Sequence, residues 1–202
     1  MQFVKMRIYI AAVIVLLILS CCCIAPVAVM AERVTENREL GSFHSVDLRT
    51  VGNISLTQGS NQSLVIRADR DVLEKLKTEL RDGTLIISSR WNIREANAPE
   101  ISIEMKSIRA LTISGSGVIR GDNRFVSKAV DLSISGSGDM LLELKAEQLD
   151  TKVSGSGNMS LELEAKTVAA RISGSGDIEM SGMAASLETK ISGSGSLSEA
   201  MA

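Results

Sequence analysis

Cysteine is confined to one triplet, Cys21-Cys22-Cys23, so no disulfide framework can exist beyond it. The triplet has neither CxxC spacing nor a neighbouring histidine, which argues against a metal or redox site. Histidine occurs once, as His44, so a Ser-His-Asp arrangement would have to combine it with Asp47 and one of many near-equivalent serines. Aromatic residues make up 2% of the chain, and beyond the first thirty residues they are only Phe43, Trp91 and Phe125. Trp91, in the turn-rich stretch 90–97, is the candidate ligand contact if it stands exposed, and a core-edge residue if it does not. The net charge of -2 excludes the basic footprint of a nucleic-acid binder and supplies no acidic tail. GxxxxGK[ST] and HExxH are both absent. These absences lead to the expectation of no catalytic, cofactor or metal residues.

What is present begins with an export segment. Lys5 and Arg7 precede an uncharged run from Ile8 to Ala31. Three fates fit it. Small residues at Val29-Met30-Ala31 suit cleavage after Ala31; Ile18-Leu19-Ser20-Cys21 loosely resembles a lipobox, which would make Cys21 a lipidation site; and the run of 24 residues exceeds the ~20 needed to span a bilayer as an uncleaved anchor. Each places residues 32–202 outside the cytoplasm, with the membrane touched only through the N-terminal segment. The division expected is therefore 1–31 as signal or anchor and 32–202 as one domain.

Ser-Gly-Ser-Gly occurs at 114–117, 135–138, 154–157, 173–176 and 192–195, at offsets of 21, 19, 19 and 19. A fixed period of this size points to a solenoid, and a flexible Gly/Ser linker would lack the alternation these copies have. From Ala170 through Ile172, Gly174, Gly176, Ile178 and Met180 the small or apolar residues fall at every second position, which reads as a strand running through the motif. Ile113, Ile134, Val153, Ile172 and Ile191 precede the motifs, and Ile119, Met140, Met159, Ile178 and Leu197 follow them, so one face is buried throughout. A parallel β-helix satisfies this pattern, with one rung per repeat stacked at ~4.8 Å and five motif rungs spanning about 24 Å. The glycines Gly115, Gly117, Gly136, Gly138, Gly155, Gly157, Gly174, Gly176, Gly193 and Gly195 are the structural repeat residues. Of these, Gly115, Gly136, Gly155, Gly174 and Gly193, on inward parity, are expected to avoid collisions across a narrow core. The serines, on outward parity, are expected to form hydroxyl ladders between rungs.

Asp139, Asn158 and Asp177 share a column after the motif. Calcium-binding β-rolls use a nonapeptide with adjacent glycines, so the spacing favours a polar turn cap over a calcium ladder. Lys152, Arg171 and Lys190 form a second column, but Asp131, Asp150 and Glu188 lie two residues earlier, as on an ordinary solvated face.

Ahead of the repeats, short alternating runs at Ser45–Leu48, Asn53–Thr57, Leu64–Ala68, Leu85–Ser88 and Glu100–Met105 predict strands. Val72, Leu73, Leu76 and Leu80 follow helical spacing, opened by Asp69 or Asp71 and closed by Gly83, which predicts one helix at about 70–81 over the N-terminal end of the solenoid.

The run Ser45–Gln58, "Gly-Thr-Leu-Ile-Ile" at 83–87, "Ile-Ser-Ile" at 101–103, Leu111–Gly117 and the repeated "Ile-Ser-Gly-Ser-Gly-Asp" together resemble the GIN-domain family, labelled putative auto-transporter adhesin head domain. The resemblance covers roughly residues 40–200. It implies an exported bacterial protein of β-helical fold without an established activity. The expectation is thus an all-β, single-stranded parallel β-helix of 19–21-residue rungs with one short helix near the N-terminal end. It would lie in the periplasm, outer membrane or cell surface and serve an adhesin-like or binding role toward an envelope protein or glycan. A structural or signalling-associated domain that binds a protein at the solenoid edge is the alternative. After Lys190 only Glu199 is charged, so the last rung is expected to be an open edge that pairs with a second copy or a partner, or frays.

Overall fold

The computed structural model describes residues 33–201, and the export segment with Cys21 lies outside the described residues. Among them the repeat region supplies seven strands: β8 (Ala110–Ile113), β9 (Val118–Gly121), β10 (Phe125–Ile134), β11 (Asp139–Val153), β12 (Met159–Ile172), β13 (Ile178–Ile191) and β14 (Leu197–Met201). All pair in parallel, and the later turns pair in a 19-residue register, Met140 with Met159, Met159 with Ile178 and Ile178 with Leu197. The result is a parallel β-solenoid of about five turns.

Each long strand is bent into two arms. In β11 the buried positions are Met140, Leu142, Leu144 and Ala146, then Leu149, Thr151 and Val153, so the alternation slips by one at Glu147-Gln148. Side chains can keep facing one core across such a slip only if the chain turns a corner there. The pairing agrees, passing from Ala146–Ala165 to Gln148–Thr167 and leaving out Glu147 and Lys166. The SGSG segment turns the opposite corner. The apolar columns of the two arms fill the space between the corners.

The segment before the repeats continues the stack, out of chain order. β2 (Ser45–Leu48) lies between β6 (Thr84–Ser89) and β8, while β3 (Asn53–Gln58) lies between β7 (Glu100–Met105) and β9. Residues 45–58 thus form a rung between that of 84–105 and the first SGSG rung. Ile87, Leu48 and Ile113 continue one core column, and Ile101, Ile54 and Ile119 the other; all six are buried. Beyond this stack the pairing becomes antiparallel. β4 (Ser63–Asp69) lies on β7, β1 (Arg33–Asn37) on β4, and β5 (Leu76–Arg81) on β6. Because β4 belongs to one arm and β5 to the other, helix α1 (Arg70–Lys75) between them crosses the end of the core, burying Val72 and Leu73.

The helix is half the predicted length. Residues 76–81 are strand β5, with Leu76 buried and Leu80 36% exposed. The glycine read as a helix stop is the second residue of a two-residue hairpin turn: Asp82 (φ 49°) and Gly83 (φ 72°) close β5 onto β6 with Arg81 opposite Thr84. Asp-Gly with both φ positive is the twist-matched turn for such a hairpin, and ladder pairing to β6 overrides helical spacing.

Two other expectations change. The motif is a bend between strands, not part of one: β12 ends at Ile172 and β13 begins at Ile178. The first offset of 21 has its own cause. Arg120 aligns with Leu141 and Phe125 with Leu144, so two extra residues are accommodated at Asp122–Arg124. This loop is tied down by paired amides. Gln58 N donates to Asn123 Oδ1 and Asn123 Nδ2 to Gln58 O, both at 2.9 Å, while Val126 N donates to Gln58 Oε1 at 2.7 Å. The side chain of Gln58 thereby extends the ladder past the end of β3.

Candidate functional site

The serines of every motif are exposed, as outward parity predicted. The glycines are there for a reason other than the expected one. A Cβ on Gly136, Gly155 or Gly174 would lie 2.0, 2.0 or 2.1 Å from the carbonyl oxygen of Gly115, Gly136 or Gly155 in the preceding rung. On Gly138, Gly157 and Gly176 it would lie 2.2, 2.0 and 2.1 Å from the oxygens of Gly117, Gly138 and Gly157. The obstruction is along the solenoid axis, not across the core. The carbonyls of Gly115, Gly117, Gly136 and Gly155 accept hydrogen bonds from the next rung, among them Ser156 N to Gly136 O at 3.1 Å and Ser175 N to Gly155 O at 3.0 Å, so the corner is stitched by its backbone. The serine hydroxyls do not form a ladder. Among the described residues Ser114 Oγ reaches Asp47 at 3.4 Å and Ser154 Oγ reaches the Ile134 carbonyl at 3.5 Å, both long for a hydroxyl donor.

On one side of this ridge stands the Asp139–Asn158–Asp177 column. Asn158 donates to Asp139 Oδ1 through its backbone N and Nδ2, both at 3.1 Å; Ser196 donates to Asp177 Oδ1 through N and Oγ, both at 2.7 Å. Each aspartate therefore caps the amide of the rung after it. Among the described residues no cluster of three or more His, Cys, Asp or Glu could hold a metal ion. Circular dichroism and thermal melts with calcium and with chelator are expected to superimpose. A calcium-dependent rise in melting temperature would give these carboxylates a ligand role.

The Ser196 hydroxyl, and then its backbone N–H, hold the Asp177 carboxyl below the usual aspartate range. Lys145, followed by Arg124, does the same for Glu164. A carboxyl depressed in the folded state contributes stability above its ordinary value, about 4, and loses that contribution as pH falls through the folded value. Urea midpoints are therefore expected to fall on acidification below about pH 4, and Asp177→Asn to flatten part of that slope. An unchanged slope in this variant would mean the cap is not coupled to folding.

On the other side, Ser133, Lys152, Arg171 and Lys190 are in register, and Arg171 pairs with Asp150 at 3.5 Å. This is the mixed solvated face read from the sequence. His44 and Asp47 are not brought into a relay: His44 Nδ1 lies 3.0 Å from Ser45 Oγ, while Asp47 is engaged by Arg49 at 2.7 Å and by Ser114.

Trp91 is 71% exposed. It occupies the loop 90–99, which turns the same corner as the SGSG segments but in the rung nearest the N-terminal end. Beside it lies a depression of about 320 Å³, lined by Arg49, Thr50, Ser89, Arg90 and Ser116. Sequence reading singled out the tryptophan and missed the arginines, because Arg49 and Arg90 meet only through the pairing of β2 with β6.

The described residues thus form a parallel β-solenoid whose SGSG corner presents an exposed ridge of serines. The chain belongs to the family described as "Putative auto-transporter adhesin, head GIN domain", whose profile matches residues 42–200. Several crystal structures share the fold. A putative adhesin from Bacteroides fragilis NCTC 9343 is 18% identical, with TM-score 0.59, covering 83% of this chain and 97% of its own. A putative lipid binding protein from Parabacteroides distasonis ATCC 8503 is 15% identical, with TM-score 0.57, covering 84% and 97%. A putative adhesin from Parabacteroides merdae ATCC 43184 is 14% identical, with TM-score 0.52 and the same coverages. Among curated proteins, none matches the sequence. No helix among the described residues is long and apolar enough to cross a membrane.

Proposed function

We propose that the chain is exported to the bacterial envelope or surface and that residues 32–202 act there as a stiff, adhesin-like binding module without catalytic activity. The observation that carries this reading is the exposed ridge of motif serines, headed by the exposed Trp91, on a scaffold whose backbone is paired from rung to rung. A rigid element loses little freedom when it binds, which favours recognition by surface over recognition by induced folding. The N-terminal segment 1–31 serves as signal or anchor, with Cys21 as the lipidation site if it follows the lipoprotein route. The test is fractionation of cells expressing the full chain or Cys21→Ala, together with binding of the purified full chain to intact cells of the same species. Recovery in the cytoplasm, or absence of saturable binding to envelope material, would overturn the reading.

A second reading, a structural or signalling-associated envelope domain bound by a protein or a second copy at the solenoid edge, is favoured by Met183 and Ile191 of β13, which are 55% and 47% exposed. Sedimentation of the full chain against Met183→Lys/Ile191→Lys separates the two. Loss of an oligomer in the variant supports the edge; a monomer in both removes self-association.

A further inference from the structure

We propose that the depression between Trp91, Arg49 and Arg90 is the ligand site of this module, and that its ligand is an acidic polysaccharide whose sugars carry carboxylates. The inference rests on the surface-binding reading above and names the ligand class for it.

The three aromatics beyond the export segment divide sharply. Phe43 and Phe125 are core residues, while Trp91 stands in solvent. Its loop takes ten residues to turn a corner that the SGSG segments turn in four or five. The loop is nevertheless anchored. Trp91 N donates to Ser89 Oγ at 3.3 Å, the Ser89 hydroxyl donates back to the Trp91 carbonyl, Arg90 N donates to the Lys75 carbonyl at 3.1 Å, and Ile93 and Ala98 are buried. An indole displayed on fixed backbone is a preorganised flat surface, and the apolar C–H face of a sugar ring is complementary to it.

The lining chemistry selects within that class. Arg49 and Arg90 bring two guanidiniums to the depression, and Thr50, Ser89 and Ser116 bring hydroxyl-bearing residues. No lining residue is acidic; the neighbouring Asp47 pairs with Arg49 Nε at 2.7 Å, which leaves the Nη donors of Arg49 and the whole guanidinium of Arg90 without a hydrogen-bond partner among the described residues. A guanidinium binds a carboxylate through two parallel N–H donors, so a uronic acid stacked on Trp91 can be held by both of its chemistries at once. A lipid chain would need an apolar trough in place of this polar lining. Nucleic acid would need a basic surface that a chain of net charge -2, with Asp139 and Asp177 beside its ridge, does not offer. Gly115 and Ser116 of the first motif also line the depression, so a polymer seated there continues onto the exposed serines of the following rungs, spaced at ~4.8 Å.

The test is titration of the full chain with oligomers of galacturonate, alginate and hyaluronate, and with methyl-esterified galacturonate of the same length. Trp91, the chain's single tryptophan, reports by its fluorescence. At least one acidic oligomer is expected to bind and shift the emission. Trp91→Ala should weaken binding, measured by calorimetry, about tenfold or more; Arg90→Gln and Arg49→Gln should each weaken it several-fold. Methyl esterification should match the arginine losses, while the remote Lys166→Gln should change nothing. Equal thermal melts exclude misfolding as the cause. Failure of all three acidic oligomers to bind, or binding indifferent to Trp91→Ala, overturns the proposal. If Trp91→Ala loses attachment to envelope material but acidic oligomers do not compete and protease treatment of that material abolishes it, the ligand is a protein and the glycan class is wrong. If the wild-type chain still attaches to the envelope and Trp91→Ala does so equally, the site falls and the surface-binding reading stands. If the wild type attaches to neither, both fall.

Discussion

Gly155→Val and Gly174→Val are each expected to destabilise the protein by about 3 kcal/mol, with Ser156→Ala and Ser175→Ala staying within about 0.5 kcal/mol. The reason is axial. Each glycine faces the carbonyl of the rung before it at a distance where a Cβ would lie 2.0 to 2.1 Å from oxygen, and that oxygen already accepts an amide hydrogen bond from the same rung as the glycine. The rungs cannot separate locally, since the arms on both sides of the corner hold them at ladder spacing. A side chain here therefore both overpacks and breaks a backbone bond worth roughly 1 kcal/mol. The first carbon of the side chain is already the clash, so Gly155→Ala should lose nearly as much as Gly155→Val. Crowding across a narrow core would instead grade with size and spare alanine. Thermal or urea melts of the set decide between these causes, and a benign Gly155→Ala would reinstate the crowding explanation.

Phe125→Ala should cost about 3–5 kcal/mol, and Trp91→Ala should stay within about 0.5 kcal/mol, although both delete a large aromatic ring. Phe125 is almost fully buried and opens the arm just after the two-residue insertion; its ring fills the space beside Gly121, where a Cβ would lie 2.7 Å from Phe125 Cε2. Removing it leaves a cavity at the one rung whose register is irregular, where Gln58 and Asn123 already replace backbone pairing with side-chain amides. Collapse of that site would disturb those bonds as well. Comparable losses in the two variants would mean that Trp91 is a structural residue, contrary to its exposure.

Much of the strand pattern was legible because it is period two and one face is buried. Ser45–Leu48 and Glu100–Met105 are strands with the expected bounds, and the apolar columns flanking the motifs are core columns through Ile172 and Ile178. The second corner is also written in the chain, as the slip from Ala146 to Leu149, a one-residue break in alternation inside the long strands that lies outside the SGSG segment. Leu76 and Leu80 misled in the other direction. Their helical spacing is real, yet Asp82-Gly83 supplies a tighter local instruction, and strand pairing with Thr84–Ser89 completes it.

By itself, then, the sequence determined a stacked, all-β architecture, because a 19-residue period with alternating burial has one economical solution, parallel rungs sharing a core; the family followed separately, from the resemblance of its motifs. It also determined which motif positions face water. Tertiary structure decided what no single repeat contains: that residues 45–58 sit between 84–105 and the first SGSG rung, that the motif glycines are required by carbonyls one rung away, and that Arg49 and Arg90 meet Trp91. These are contacts between rungs, at sequence separations set by stacking order, and a pattern read along one strand carries no record of the strand laid beside it.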